Sequence, residues 1–490
     1  MTFPDRLPRP QRGASALPIA RPDRRIVGAA SAAHAAVPGS ISPRLALPAL
    51  LAAAALAGCA TPPPPEAAPA AVACPAGVPA GARCLRGQDS ANAHYLIVMP
   101  EKWSGVLVVH AHGGPDLGEP KPTRSDQDIK RWAITVQLGH AWAGSVYRQG
   151  GFAVTSAAED TERVRRIFVQ HVDKPRRTLL HGQSWGGMVA ARAAELYPKS
   201  WDGILFTSSV LAGPATYDFR VDLRAVYQHL CNNHPRPDEP AYPLNIGLPA
   251  DAKLTPAELA ARADECLGTR RPAAQRTPEQ ARRLRTLAEV IRIPESSVPS
   301  HLNFATFTFR DIARRHGQGA ASPFGNEGVR YSGSADDAAL NAAVPRVQAD
   351  PAAAARFAAD TDHGGRFAVP VLTTHGIHDP TVFAEVGEVL RRRMEAAGTA
   401  DRLVQTLFDS REHSYLGDAA YPPLFEALLR WVEQGTKPTP QGIAARCAEL
   451  RAAVPGGSAA DCRFLPDEPI RPLASRVRPR PGAEDFRRAE

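Results

Sequence analysis

No two of the seven cysteines in this 490-residue chain are spaced as Cys-x-x-Cys, so the usual signatures of a structural zinc site and of a thiol redox motif are missing, and neither a metal nor another cofactor is expected. Lysine-rich runs and long basic stripes are missing too. The net charge is +8, but residues 1–58 carry +5 of it, seven Arg against Asp5 and Asp23, which leaves +3 for the rest. A nearly neutral remainder gives nucleic acid no broad surface to bind, and no nucleic-acid partner is expected. The apolar run at 45–57, LALPALLAAAALA, has thirteen residues, short for a membrane-spanning helix. What the chain does have is 44% hydrophobic residues, enough to bury a large core.

The apolar run follows Arg44 and leads into Leu56-Ala57-Gly58-Cys59. It has the length of a secretory signal core, and the last four residues resemble a bacterial lipobox, whose cysteine is lipidated. Cys59 is therefore expected to anchor the mature chain to a membrane, with ordinary secretion as the alternative. Ala60 after it favours the outer membrane, by resemblance to Gram-negative lipoproteins. The Arg- and Pro-rich residues before Arg44 make a long leader, and the translation start is expected further downstream. Residues 61–71, TPPPPEAAPAA, are too proline-rich for a helix and too poor in large apolar groups to pack, and read as a tether. Lipidation of Cys59 leaves Cys74, Cys84, Cys231, Cys266, Cys447 and Cys462, an even set suited to an exported protein. Their spacing suggests three local bridges, Cys74 to Cys84, Cys231 to Cys266 and Cys447 to Cys462, among the many pairings that six cysteines allow.

The stretch RTLLHGQSWGG at 177–187 organises the rest. Thr178, Leu179 and Leu180 make a short buried strand, Gly182-Gln183-Ser184-Trp185-Gly186 completes Gly-x-Ser-x-Gly, and Met188, Val189, Ala190, Ala193 and Ala194 recur at helical spacing. Strand, sharp turn and helix in that order would lift the Ser184 hydroxyl toward a substrate, beside amide donors at a helix N-terminus. A structural turn is the plain alternative. Upstream, strands are expected at 95–98 and 105–109, the second running into His110-Ala111-His112-Gly113-Gly114-Pro115. Small residues there would let a backbone amide approach a carbonyl oxygen, with Gly114 and Trp185 as the expected oxyanion donors. The pattern continues as a strand at 141–147, a helix at 159–172 and a strand at 203–209.

It then breaks off. Residues 211–366 hold polar helical segments, among them 255–266 and 277–293, and read as a cap inserted into the sheet domain, or else as an accessory domain. The sheet resumes at 369–374 and turns at Gly376-Ile377-His378-Asp379-Pro380. Asp379 is the candidate acid that would orient an imidazole, although it could instead cap a helix starting near Thr381; Asp362 and Asp409 are weaker rivals. After a helix at 382–397 and a strand at 403–408 comes Arg411-Glu412-His413-Ser414-Tyr415, and His413 is the only histidine that follows Asp379. His181, His375 and His378 are expected to be structural or to line a pocket. A closing helix spans 421–434, Gly435 ends it, and the residues from Pro466 on, rich in Pro and Arg, have little to bury.

HGGP, GQSWGG, GIHDP and REHSY in this order resemble the α/β-hydrolases, across 93–435, and the end of that span is similar to tannase and feruloyl esterase relatives. The resemblance implies a mostly parallel sheet flanked by helices with a largely helical cap, and a Ser-His-Asp triad of Ser184, His413 and Asp379. Tyr147, Arg148 and Asp160 also resemble superfamily positions, without an assignable role. Those relatives carry a disulfide between cysteines placed just before the nucleophile and just before the histidine. This chain has Gln183 and Glu412 there, so their substrates do not carry over. The organisation expected is a leader and signal at 1–58, anchor, tether and N-terminal segment at 59–92, core at 93–210 and 367–435, cap at 211–366, and a C-terminal extension at 436–490. The function expected is serine hydrolysis of a carboxylic ester in a small or polymeric acyl substrate, by an exported protein held at the membrane. A serine peptidase of the same fold and a non-catalytic surface-binding lipoprotein are the alternatives. No particular oligomeric state is implied.

Overall fold

Strand β4 (Val106–Ala111) shows how the sequence alternation becomes two packed layers. Leu107 and Val109 join Val164, Ile167, Phe168 and Val189 on one face of the sheet. Val106 and Val108 join Trp132, Leu424 and Leu428 on the other. Every strand residue is buried because helices cover both faces, as a central parallel strand requires.

The chain is described by a computed structural model at residues 65–451 and 461–473, all within the unit Pro63–Glu490. Cys59, the apolar run at 45–57 and the chain beyond 473 lie outside the described residues. Among the described residues no helix is long and apolar enough to cross a membrane. Among the described residues ten strands form one sheet in the order β1-β2-β3-β5-β4-β6-β7-β8-β9-β10. β5 (Ala141–Ser145), β4, β6 (Arg177–Gln183), β7 (Gly203–Thr207), β8 (Val371–Gly376) and β9 (Leu403–Phe408) run parallel. One edge adds the antiparallel strands β1 (Ala70–Val72), β2 (Arg83–Gln88) and β3 (His94–Met99). The other edge adds β10 (Phe464–Leu465). The fold is a mostly parallel sheet flanked by helices.

Several elements differ from the sequence expectation. The sheet begins before residue 93, and the end of the supposed tether is docked. Ala70–Val72 has free amides and no proline, so it pairs with β2, and the Cys74–Cys84 disulfide closes that hairpin. The buried Glu66 carboxylate accepts from the Ser90 amide at 2.7 Å and its hydroxyl at 2.9 Å. Downstream of Gly435, helix Pro440–Leu450 packs against helix Tyr421–Gln434, and a Cys447–Cys462 bridge leads the chain back to pair with β9. The helix after Asp379 starts at Val386, not near Thr381 or Val382, for a reason that lies in the site below.

β7 and β8 are sheet neighbours although 371 follows 207 only after the long insertion. Its helices include Phe219–Cys231, Pro256–Leu267, Pro278–Ile291 and Val298–Asn303. Thr255 and Thr277 each cap a helix with proline at its start and a reciprocating Glu258 or Gln280, a capping box that fixes where the helix begins. Leu223, Val226, Leu259, Leu284, Leu287 and Leu302 give the insertion its own apolar core. The Cys231–Cys266 disulfide ties the ends of two of its helices.

Candidate active site

β6 ends at Gln183 and helix Gly186–Leu196 begins three residues later, so Ser184 must turn the chain within the space of one residue. It does so at φ 53°, a left-handed conformation that costs a non-glycine residue on the order of 1–3 kcal/mol. The flanking glycines make the turn possible by close approach. A Cβ on Gly186 would lie 2.1 Å from the Ala111 carbonyl oxygen and 2.5 Å from that of His112. A Cβ on Gly182 would meet the Ala190 methyl at 2.8 Å. The end of β7 holds the elbow, with the Val210 amide donating to the Ser184 carbonyl at 2.8 Å and the Ser209 hydroxyl to that of Gly182 at 2.7 Å.

Ser184 Oγ lies 2.8 Å from His413 Nε2. On its other side the imidazole Nδ1 meets Asp379 Oδ2 at 2.8 Å and Oδ1 at 3.0 Å. The acid side chain is fully buried, that of His413 is 24% exposed, and Ser184 is buried, so His413 is the most exposed member of the three. Burial alone would raise the Asp379 pKa, but hydrogen bonds from His375 and His413 outweigh it and hold the carboxyl well below the usual carboxylate range. Asp379 Oδ1 also accepts the amides of Thr381 at 2.8 Å and Val382 at 3.0 Å. These bonds hold 379–382 as a loop, which is why the helix starts late and why the carboxylate does more than cap it. Of the rivals, Asp362 is paired with Arg393 instead.

Gly113 and Gly114 leave β4 beside this row. The Gly113 amide donates to Gln183 Oε1 at 3.0 Å, and its carbonyl accepts Arg124 Nη2 and His112 Nδ1, each at 3.0 Å. Gly114, at φ 79°, and Trp185 have amides with no protein acceptor among the described residues. Of the predicted residues, then, Ser184, His413 and Asp379 come together, with Trp185 next to the serine and Gly114 on the adjoining loop; Cys59 lies outside the described residues. Tyr147 stacks on His112 with ring centroids 4.1 Å apart. Asp160 accepts the Arg148 amide at 2.7 Å and pairs with the guanidinium groups of Arg148 and Arg163, which fixes the loop after β5. His181 bonds to His110 and Thr207 behind the sheet end, and His375 to the Val382 carbonyl. His378 lines a small cavity of about 80 Å³ away from the serine, together with Glu468 and Arg471.

The sequence analysis did not anticipate the bond from the Gly113 amide to Gln183. The signal for it was the place of Gln183 directly before the serine.

No protein-family model matches the chain, and no curated protein sequence matches it. Among solved structures, feruloyl esterase B from Aspergillus oryzae is similar at a TM-score of 0.43 and 14% identity, over 76% of this chain and 88% of that one. A rice cell wall degrading esterase from Xanthomonas oryzae has a TM-score of 0.35 at 14% identity, over 73% and 90%. A thermostable carboxylesterase cloned from a metagenomic library has 0.34 at 14% identity, over 76% and 91%. The parallel strand order, with the strand, serine turn and helix at its centre, gives this chain the α/β-hydrolase fold.

Proposed function

We propose that the chain is a serine hydrolase cleaving carboxylic esters. The observation that carries this reading is the continuous row from Ser184 Oγ through His413 to the buried Asp379, with both steps at 2.8 Å. Ser184 Oγ attacks the ester carbonyl carbon while His413 Nε2 takes its proton. Negative charge gathers on the carbonyl oxygen and is met by the Gly114 and Trp185 amides, which no protein group occupies. His413 returns the proton to the departing alkoxide as the C–O bond breaks, and water then releases the acyl group by the same steps. Asp379, kept ionised by its donors, holds the Nδ1 proton and stabilises the imidazolium. The insertion between β7 and β8 acts as the cap that shapes the acyl or leaving-group pocket, and lipidation of Cys59 tethers the exported enzyme to the outer membrane.

Purified protein is assayed against short- and long-chain aryl esters, hydroxycinnamoyl esters and aminopeptidase-type amides, with Ser184→Ala as the blank. Ester turnover that the variant loses is expected. Amide turnover without ester turnover would replace the esterase reading by the peptidase one, and full activity in a folded Ser184→Ala protein would remove the nucleophile. Membrane fractionation of wild type and Cys59→Ala tests the anchor, which fails if both are soluble.

A further inference from the structure

The loop 379–382 is gripped from two directions. Its amides at Thr381 and Val382 turn inward to the Asp379 carboxylate. Its carbonyls turn outward, and three successive ones each meet a buried side chain. His301 Nε2 donates to the Pro380 carbonyl at 2.8 Å. Arg220 Nη2 reaches that of Thr381 at 3.4 Å. His375 Nε2 donates to that of Val382 at 2.8 Å. His375 belongs to β8, but Arg220 and His301 come from helices Phe219–Cys231 and Val298–Asn303 of the insertion. The insertion therefore touches the segment that carries the acid.

We infer that His301 and Arg220 are positioning residues, through which the insertion holds the Asp379 carboxylate in register with His413. The inference rests on the reading of Asp379 as the triad acid. The construction of the two side chains supports it. His301 is buried with its ring edge-on to Phe219, centroids 5.0 Å apart, and tilted against Phe383 at 6.0 Å. Burial, then the nearby Arg220, push its pKa well below the ordinary histidine value, so it is neutral and presents one N–H, to the Pro380 carbonyl. Arg220 is 2% exposed and makes no ion pair among the described residues. Its guanidinium lies over the rings of Phe304, Phe219 and Tyr217 at 4.3, 4.6 and 5.3 Å, and its Nη1 donates to the Thr216 carbonyl at 2.9 Å. Burial lowers its pKa to about 10, which leaves it charged at neutral pH. Burying a cation without a carboxylate is costly. Packed rings and backbone carbonyls offset that cost here, and one of those carbonyls lies two residues from the acid.

An acid displaced by a fraction of an ångström still lets substrate bind but slows proton transfer, so kcat falls while KM stays. The test is His301→Phe, which keeps an aromatic ring but loses the donor, together with His301→Gln, which keeps a donor, and Arg220→Met, which keeps an apolar stem. Each is made in the wild type and in Asp379→Ala, with thermal melts as the folding control and an aryl ester as substrate. We expect His301→Phe and Arg220→Met to lower kcat by about 10- to 100-fold at unchanged KM, His301→Gln to recover most of the loss, and no further loss in the Asp379→Ala background. If Asp379→Ala is impaired but folded His301→Phe and Arg220→Met keep wild-type kcat, or cost as much without Asp379 as with it, the inference is wrong and the acid stands. Full activity in Asp379→Ala overturns both.

Discussion

The carboxamide of Gln183 donates to the hydroxyl of Ser414, and so joins the residue before the candidate nucleophile to the residue after the candidate base. Its oxygen meanwhile accepts the Gly113 amide at 3.0 Å, so one side chain ties serine, histidine and oxyanion loop together. The connection is made by a neutral amide, and Gln183, Ser414 and Gly113 are all buried.

Gln183→Ala leaves the buried Gly113 N–H and the Ser414 hydroxyl short of a partner, at about 1–3 kcal/mol. The variant should therefore melt lower and lose about 10- to 100-fold in kcat, because the loop that presents Gly114 is no longer held. Steady-state kinetics beside a thermal melt read both effects. Wild-type kcat in the variant would show that Arg124 and His112 hold the loop without Gln183.

Asp379→Asn replaces the acceptor of the imidazole N–H by a group that favours the other tautomer. The expected loss in kcat is about three to four orders of magnitude with the fold retained. The amides of Thr381 and Val382 can still donate to the remaining oxygen. A loss below about tenfold would leave Asp379 as a turn-forming residue only.

Where the sequence was readable, the structure follows local pattern. The strand expected at 403–408 and the helix at 421–434 agree with Leu403–Phe408 and Tyr421–Gln434, and Gly435 takes the left-handed conformation that ends the helix. Local pattern also singled out Ser184 and Asp379 as candidates, each by its place after a strand, and chain order then left His413 as the candidate base. It failed where the cause was distant. Strand β2, RCLRGQ, has no apolar alternation and is a strand because β3 lies beside it. The helix expected from 382 lost its first turn to the Asp379 carboxylate and to the partners of the Pro380, Thr381 and Val382 carbonyls. No spacing in the sequence brings His301 to Pro380; only the packing of the insertion does.

Gly186→Ala should be among the most damaging single-methyl changes available. The new Cβ would press on the backbone oxygens of Ala111 and His112, which cannot rotate aside as a side-chain end could. Either β4 or the elbow must shift, which moves the Gly114 loop away from Ser184. We expect a thermal melt lowered by several degrees, for a cost of about 1–3 kcal/mol, and turnover reduced at least tenfold. Wild-type turnover would mean that the elbow accommodates the methyl group.

Acid should unfold this protein through histidines that are buried while neutral. Burial lowers the pKa of His140 to about 4, with Arg176 adding to it. Burial lowers His181 to about 3, and burial with Arg393 beside it lowers His363 to about 3. In the unfolded chain each returns to about 6.5. Folded pKa values below unfolded ones mean that the unfolded state takes up protons first as the pH drops. The stability these groups contribute is thus complete above about pH 6.5 and is lost as pH falls toward 3 to 4. Each proton costs about 1.4 kcal/mol per pH unit, so three such groups give a slope on the order of 4 kcal/mol per unit below pH 6. Urea unfolding at pH 7, 6 and 5 measures that slope. The Asp379 carboxylate, held below its usual range, adds its own loss only at lower pH, as protonation breaks its bonds to the loop and to His413. Stability that stays flat from pH 7 to 5 would mean that these histidines take up protons in the folded protein as readily as in the unfolded chain, and that burial does not keep them neutral.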